Sequence, residues 1–270
     1  MDLGAWSFHS ISYHPLMLKP WHLPILFGTG LIAGFVDSIA GGGGLITLPV
    51  LLSLGLGPQQ ALGTNKLQAS FGSGSAAWHY GKAKAVPLKD CVRGFVLSFL
   101  GAALGALAVQ QGDPSFLKRT IPILLIAVAV FTLLKPRLGS QDLHPRMRRE
   151  WFDLVFGLGI GFYDGFFGPG TGTFWTMAFM LGLGFNMTKA TGYTKVMNFA
   201  SNLSSLALFL AGGHVYFMEG LVMGMGQLVG ARFGAGMVVA RGTKFIRPIF
   251  LCAVFAVTLK LLYSAYFNSK

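Results

Sequence analysis

A chain of 270 residues that is 53% hydrophobic and only 11% charged, with a mean hydropathy of +0.60, does not belong to the soluble globular class, where about 25% of residues are charged. It reads as a single membrane domain over residues 1–270, with no long polar domain interrupting its apolar segments. The formal charge of +12 does not imply a nucleic-acid partner, because few of the bases form one solvent-facing block; loop lysines and arginines in such a chain record topology.

Residues 1–20 carry no lysine or arginine before Lys19 and lack the basic start and small-residue cleavage site of a signal peptide. They read as a short extension outside the membrane. Apolar segments follow at 21–36, 45–54, 61–80, 92–109, 116–134, 152–163, 174–183, 190–210, 221–239 and 245–267. The polar stretch 135–150, with Pro136, Arg137, Gly139, Pro145, Arg146, Arg148 and Arg149, reads as a linker. Cys91 and Cys252 are the only cysteines. No disulfide framework, metal site or cofactor is expected from them.

Between the first two segments stands Asp37-Ser38-Ile39-Ala40-Gly41-Gly42-Gly43-Gly44. Each glycine costs a helix about 1 kcal/mol relative to alanine, so four in a row break it. Broken backbone at membrane depth is tolerated only where protein or a water-filled cavity surrounds it. The stretch therefore reads as part of a site.

The chain also repeats. Gly34-Phe35-Val36-Asp37 is echoed by Gly161-Phe162-Tyr163-Asp164, and the glycine run by Gly168-Pro169-Gly170-Thr171. Ala61-Leu62-Gly63-Thr64-Asn65-Lys66 is echoed by Ala190-Thr191-Gly192-Tyr193-Thr194-Lys195, and Gly101-Ala102-Ala103-Leu104-Gly105-Ala106 by Gly230-Ala231-Arg232-Phe233-Gly234-Ala235. Phe116 and Lys118 match Phe245 and Arg247 at the same near-constant offset. Two homologous repeats, about 21–134 and 151–267, are expected, an organisation found in many secondary transporters.

The expected fold is all-α and polytopic. Segments 45–54 and 174–183 are each about 15 Å long as helix, half of the roughly 30 Å hydrocarbon core. Each repeat then holds a broken or re-entrant helix pair plus three full transmembrane helices. An odd number of spans inverts the second repeat. It also collects the loops bearing Lys82, Lys84 and Lys89, the linker arginines, and Arg241 with Lys244 on one side, as the positive-inside rule requires. A multi-pass protein of the plasma (inner) membrane with both termini extracytoplasmic is expected.

Ionisable side chains at membrane depth cost about 2.5–3.5 kcal/mol on insertion scales and are functional by default. Asp37 and Asp164, with Lys66 and Lys195, form two repeat-related sets. The lysines lie close enough to segment ends to snorkel to an interface. A helix starting at each break would offer free N–H groups and partial positive charge to an anion. The donors would come from Gly41, Gly42, Gly43 and Gly44 in one half, and from Gly170, Thr171, Gly172 and Thr173 in the other. Lys66 and Lys195 would add full charges, and Thr64, Asn65, Thr194, Asn198 and Asn202 neutral hydrogen bonds. Asp37 and Asp164 are expected to pair with the lysines, cap the broken helices or carry a coupled proton. Tyr163, Phe166, Phe167 and Trp175 either shape one wall or simply pack.

The stretch from Gly34 to Leu45 and Ala61-Leu62-Gly63-Thr64-Asn65-Lys66-Leu67-Gln68 resemble the first-repeat signatures of the TauE/SafE family, closest to its YfcA-like branch. Gly161-Phe162-Tyr163-Asp164-Gly165-Phe166-Phe167-Gly168-Pro169-Gly170, and Lys189-Ala190-Thr191 followed by Lys195, resemble the second repeat equally well. The likeness runs from about Pro24 onward. It implies a membrane transporter, not an enzyme, that exports sulfite, organosulfonates or related sulfur-containing anions. Gly170 after Pro169, and Tyr193 where histidine occurs in the branch, depart from the pattern.

Among weaker features, Gly226, Gly230 and Gly234, and likewise Gly101 and Gly105, form small-residue ridges suited to close helix packing or, alternatively, a homodimer face. Arg232 stands opposite Ala103 in the repeat alignment and so breaks the symmetry; with Gln227 it is either a further candidate anion contact or an ion-pair partner. Trp21, Trp78 and Trp151 read as interface anchors. An anion channel using the same site, or an importer, is the alternative reading. An intramembrane aspartyl protease is a remote one. Its chemistry needs two carboxylates sharing a proton, whereas each aspartate here has a repeat-related lysine. The expected partners are a small anion and the lipid bilayer.

Overall fold

The computed structural model describes residues 20–134 and 142–241. Within them the chain forms α1 (His22–Ala40), α2 (Gly43–Ser53), α3 (Pro58–Lys82), a 3-10 turn at Leu88–Cys91, α4 (Val92–Gln111), α5 (Pro114–Leu134), α6 (Arg149–Phe166), α7 (Thr171–Leu183), α8 (Met187–Ala211) and α9 (Phe217–Arg241). No strand occurs among the described residues. The all-helical expectation holds, and the expected short segments are the two short helices α2 and α7. The N-terminal extension, linker residues 135–141, Lys244, Cys252 and the last apolar segment (245–267) lie outside the described residues.

Local chemistry sets the helix ends. Pro58 occupies the first turn of α3, where its missing N–H would have had no partner. Asn186 caps α8, its side-chain oxygen accepting from the Lys189 N–H at 3.0 Å. At each break a glycine takes the left-handed conformation that other residues avoid: Gly41 (φ 70°) before α2 and Gly170 (φ 85°) before α7.

Packing follows the glycine ridges. α1 lies along α9 and α6 along α4, while α3 and α8 pack on each other and on α9 and α4 respectively. A methyl group at Gly230 would lie 2.0 Å from the Leu31 carbonyl oxygen, and one at Gly105 would lie 2.1 Å from that of Phe162. Gly30, Gly34, Gly101, Gly161, Gly165 and Gly226 likewise face backbone of the partner helix. Both ridges are thus used within the chain to bring helix backbones together.

The outer surface is apolar. Leu100, Leu104, Ile123, Met225 and Phe233 stand exposed along α4, α5 and α9, a distribution suited to lipid rather than water. Trp21, Trp78 and Trp151 are exposed near helix ends, where amphipathic rings anchor at a membrane interface. Among the described residues, three stretches are long and apolar enough to cross a membrane: His22–Ile39, Leu88–Gln111 and Phe217–Ala240. α3 and α8, 25 residues each, are more polar because they carry the buried groups of the site.

Candidate functional site

The two breaks meet. Gly41 and Gly172 pack so closely that a methyl group on either would fall 2.4–2.5 Å from backbone of the other. The Thr173 hydroxyl donates to the Gly41 carbonyl at 2.8 Å, tying α7 to the end of α1. Only glycine permits this approach, which gives part of the glycine run a reason beyond helix breaking.

The charged groups pair across the halves. Lys66 on α3 places Nζ 2.7 Å from Asp164 Oδ1 and also donates to the Asp164 carbonyl. Lys195 on α8 places Nζ 2.9 Å from Asp37 Oδ2. Lys66 is 1% and Lys195 0% exposed, so neither ammonium snorkels outward. Removing one member of either pair would leave its buried partner uncompensated.

The aspartates are otherwise served differently. Asp37 Oδ1 accepts from the N–H groups of Gly42 (3.1 Å) and Gly43 (3.2 Å), so Asp37 caps α2 and occupies amides that the break would otherwise offer an anion. Asp164 Oδ2 instead accepts from the Ser201 hydroxyl on α8. The residue matching Gly42 in the second half is Pro169, which has no N–H to donate.

Between the breaks lies a small polar cavity of about 30 Å3. It is lined by both aspartates, by glycines and Thr171 of the two breaks, and by Asn65, Asn198, Asn202 and Gln227. Space of that size holds one or two water molecules. Lys66 and Lys195 sit behind their aspartates and are not among the lining residues. Asn65 is fixed by Thr47 and Gln68, whose hydroxyl and amide donate to its Oδ1 at 2.6 and 2.7 Å. Asn198 Oδ1 and Gln227 Oε1 are buried without a hydrogen-bond partner, which marks polar capacity at the cavity that the protein itself does not use.

Of the remaining candidates, Thr194 bonds Thr176 (3.2 Å) and Thr64 accepts from the Tyr216 N–H (3.0 Å); neither lines the cavity. The Tyr163 hydroxyl donates to the Pro169 carbonyl at 2.8 Å, bracing the second break. Phe167 and Trp175 are core residues, Trp175 stacking on Phe179. Arg232 is exposed on α9, away from the cavity. Ser201, Thr47 and Gln68 were not singled out as site residues from sequence. The signal for Ser201 was present in the polar stripe of α8, where Thr194, Asn198, Ser201, Asn202 and Ser205 recur at helical spacing on one face. A search by repeat symmetry passes over it, because its counterpart is Gly72.

Known proteins bear on this arrangement. The sulfite exporter TauE/SafE family matches over residues 26–261. The chain belongs to that family. Its relatives include a probable membrane transporter protein of Haemophilus influenzae, 46% identical over 241 residues, covering 89% of this chain and 94% of the relative. The probable membrane transporter protein YfcA of Escherichia coli is 44% identical over 250 residues, 93% of each chain. YunE of Bacillus subtilis, also described as a probable membrane transporter protein, is 26% identical over 269 residues, covering 90% of this chain and 98% of its own. No solved structure matches. The outward-facing apolar surface and this membership together make the protein a membrane protein of a transporter family.

Proposed function

We propose that the protein is a secondary transporter for small sulfur-containing oxyanions such as sulfite or organosulfonates, working by alternating access and most readily as an exporter. The observation that carries this is the pair of crossed ion pairs, Lys66 with Asp164 and Lys195 with Asp37, around a polar cavity at the two helix breaks. Each lysine comes from one half and each aspartate from the other. Any relative movement of the halves therefore rearranges both pairs together and frees cationic donors for an anion. The family's description as sulfite exporters supports the substrate class. The lining of amides, glycines and a hydroxyl suits a compact anion, and the cavity must widen from its water-sized volume to admit one.

The packing supports two repeats, which the odd number of spans expected in each would invert. Replacing each helix by its counterpart turns the α1–α9 contact into α6–α4 and the α3–α9 contact into α8–α4, and both are present. On this reading the protein resides in the plasma (inner) membrane with both termini outside, as a monomer or homodimer, and the proton gradient or membrane potential drives the cycle.

A thermal-shift screen in detergent with sulfite, sulfate, thiosulfate, sulfoacetate, isethionate and taurine tests the reading, because a ligand stabilises the state that it binds. Stabilisation by at least one sulfur anion, lost in Lys66→Ala and Lys195→Ala variants that remain folded, is expected. A flat response to every sulfur anion would overturn the substrate class. Uptake by proteoliposomes that only equilibrates, without accumulation above the outside concentration, would favour a channel.

A further inference from the structure

We propose that the two aspartates do unlike work: Asp164 is the proton-carrying group of the transport cycle, and Asp37 is a fixed helix cap. The inference rests on the anion-site reading above and adds the coupling ion and its place.

The asymmetry starts in sequence. Asp37 is held by three donors, the Lys195 ammonium and the N–H groups of Gly42 and Gly43. The two amides belong to the start of α2 and cannot leave without unwinding it. The second half cannot copy this arrangement, since Pro169 stands where Gly42 stands in the first and has no N–H. Asp164 depends instead on two side chains, Lys66 and Ser201. Both are mobile donors, and a serine hydroxyl can reverse its role and accept a hydrogen bond from a protonated carboxyl.

Charge balance supplies the reason for a proton. Lys66 with Asp164, and Lys195 with Asp37, leave the buried site neutral. An anion entering alone would bring an uncompensated charge into a low-dielectric interior, which is costly. If Asp164 takes a proton from water as the anion arrives, its O–H can donate to Ser201 and the Lys66 ammonium is released to the anion. One proton and one negative charge enter together, so the site is neutral before and after; export on this scheme runs down the anion's own gradient, while an inward proton gradient favours uptake. Protonating Asp37 would waste the two amide donors of α2.

The surroundings of Asp164 add no competing charge among the described residues. Lys66 faces it from α3, and Asp37, with Lys195 of α8 behind it, stands across the cavity. Tyr163 turns its hydroxyl to Pro169. α4 brings Ser98, Ala102 and Gly105 against α6, and α7 brings Thr171 to the cavity.

The full-length protein in detergent, titrated with acid and followed by infrared difference spectroscopy, tests the assignment without any ligand. Among the protonated-carboxyl C=O bands, to which buried Glu219 and Asp153 also contribute, one is expected in the wild type that is missing in Asp164→Asn and retained in Asp37→Asn. In case Asp164→Asn does not fold, Ser201→Ala provides a second test. It removes one donor to the carboxylate, and should move the band's midpoint to higher pH. A set of bands unchanged by Asp164→Asn, loss of that one band in Asp37→Asn instead, or a midpoint that ignores Ser201→Ala overturns the proposal. With isethionate, an anion of a strong acid that brings no proton of its own, wild-type affinity should rise about tenfold per pH unit lowered where one proton is taken up per anion. Affinity independent of pH also overturns it. Failure of isethionate to bind at all would count against the sulfonate reading, while the infrared bands still decide the proton site.

Discussion

Lys66 Nζ and Asp164 Oδ1 stand 2.7 Å apart although 98 positions separate them in the chain. The contact joins the third helix to the end of the sixth, with both side chains buried. Breaking a buried pair from one side costs about 3–5 kcal/mol, whereas replacing both members with apolar residues is often neutral. Lys66→Met is therefore expected to lower thermal stability in detergent sharply, and Lys66→Met combined with Asp164→Leu to recover most of the loss. Neither variant should bind anion. A double variant no more stable than the single would show that the pair is not what Lys66 contributes.

Much of this was legible in the sequence, and the parts that were not share a cause. Asp37, Asp164, Lys66 and Lys195 declared themselves because an ionisable group between apolar segments has few explanations. The glycine run declared the break, since no membrane helix tolerates four glycines without a reason. Which lysine meets which aspartate was not readable, because that depends on how the halves pack rather than on periodicity within either. That Asp37 could cap a broken helix was among the expectations, but the particular donors it takes were hidden for the same reason. The N–H groups of Gly42 and Gly43 are backbone, so no side chain announced that the α2 amides are already occupied. Arg232 misled in the opposite direction: an arginine without a repeat counterpart looked like an addition to the site, yet it lies on an exposed face.

Glycine substitutions should separate into two groups. At Gly105 an added methyl meets the Phe162 carbonyl oxygen at 2.1 Å, a backbone atom that cannot move aside. Gly105→Ala is expected to cost about 1–3 kcal/mol by forcing α4 from α6. At Gly159 nothing lies within 4 Å, and Gly159→Ala should stabilise α6 by up to about 1 kcal/mol. Unfolding temperatures of the two variants, compared with wild type under one detergent, check both signs. Equal effects would mean that close approach of the helices is not what the ridge provides.

Arg149 opens α6 with a second kind of anchoring. Its guanidinium bonds Asp153 at 3.0 and 3.1 Å and the Asp90 carbonyl at 3.1 Å. It also lies 5.2 Å from the Tyr193 ring centre and 5.9 Å from those of Phe179 and Phe185. A lysine keeps the charge but loses the planar fork and the stacking face. Arg149→Lys is expected to destabilise the protein by about 1–2 kcal/mol while leaving anion affinity unchanged, because Arg149 is not at the central cavity. A denaturation midpoint equal to wild type would sink this account of the α6 start.

Gln227 and Asn198 give the sharpest separation of binding from stability. Each lines the cavity and carries a buried amide oxygen that has no partner in the folded protein. An unpaired buried polar atom costs roughly 1–3 kcal/mol, so removing it need not weaken the fold. Gln227→Leu should unfold at or above the wild-type temperature. If the amide instead turns its N–H toward a bound anion, the same substitution loses one hydrogen bond to a charged partner, about 1.5–3 kcal/mol, or roughly tenfold or more in Kd. Calorimetric titration of Gln227→Leu and Asn198→Leu with the sulfur anion that best stabilises the wild type measures this directly. Lower stability with unchanged Kd would place the two amides in the scaffold. Undiminished stability with weakened Kd would place them at the anion.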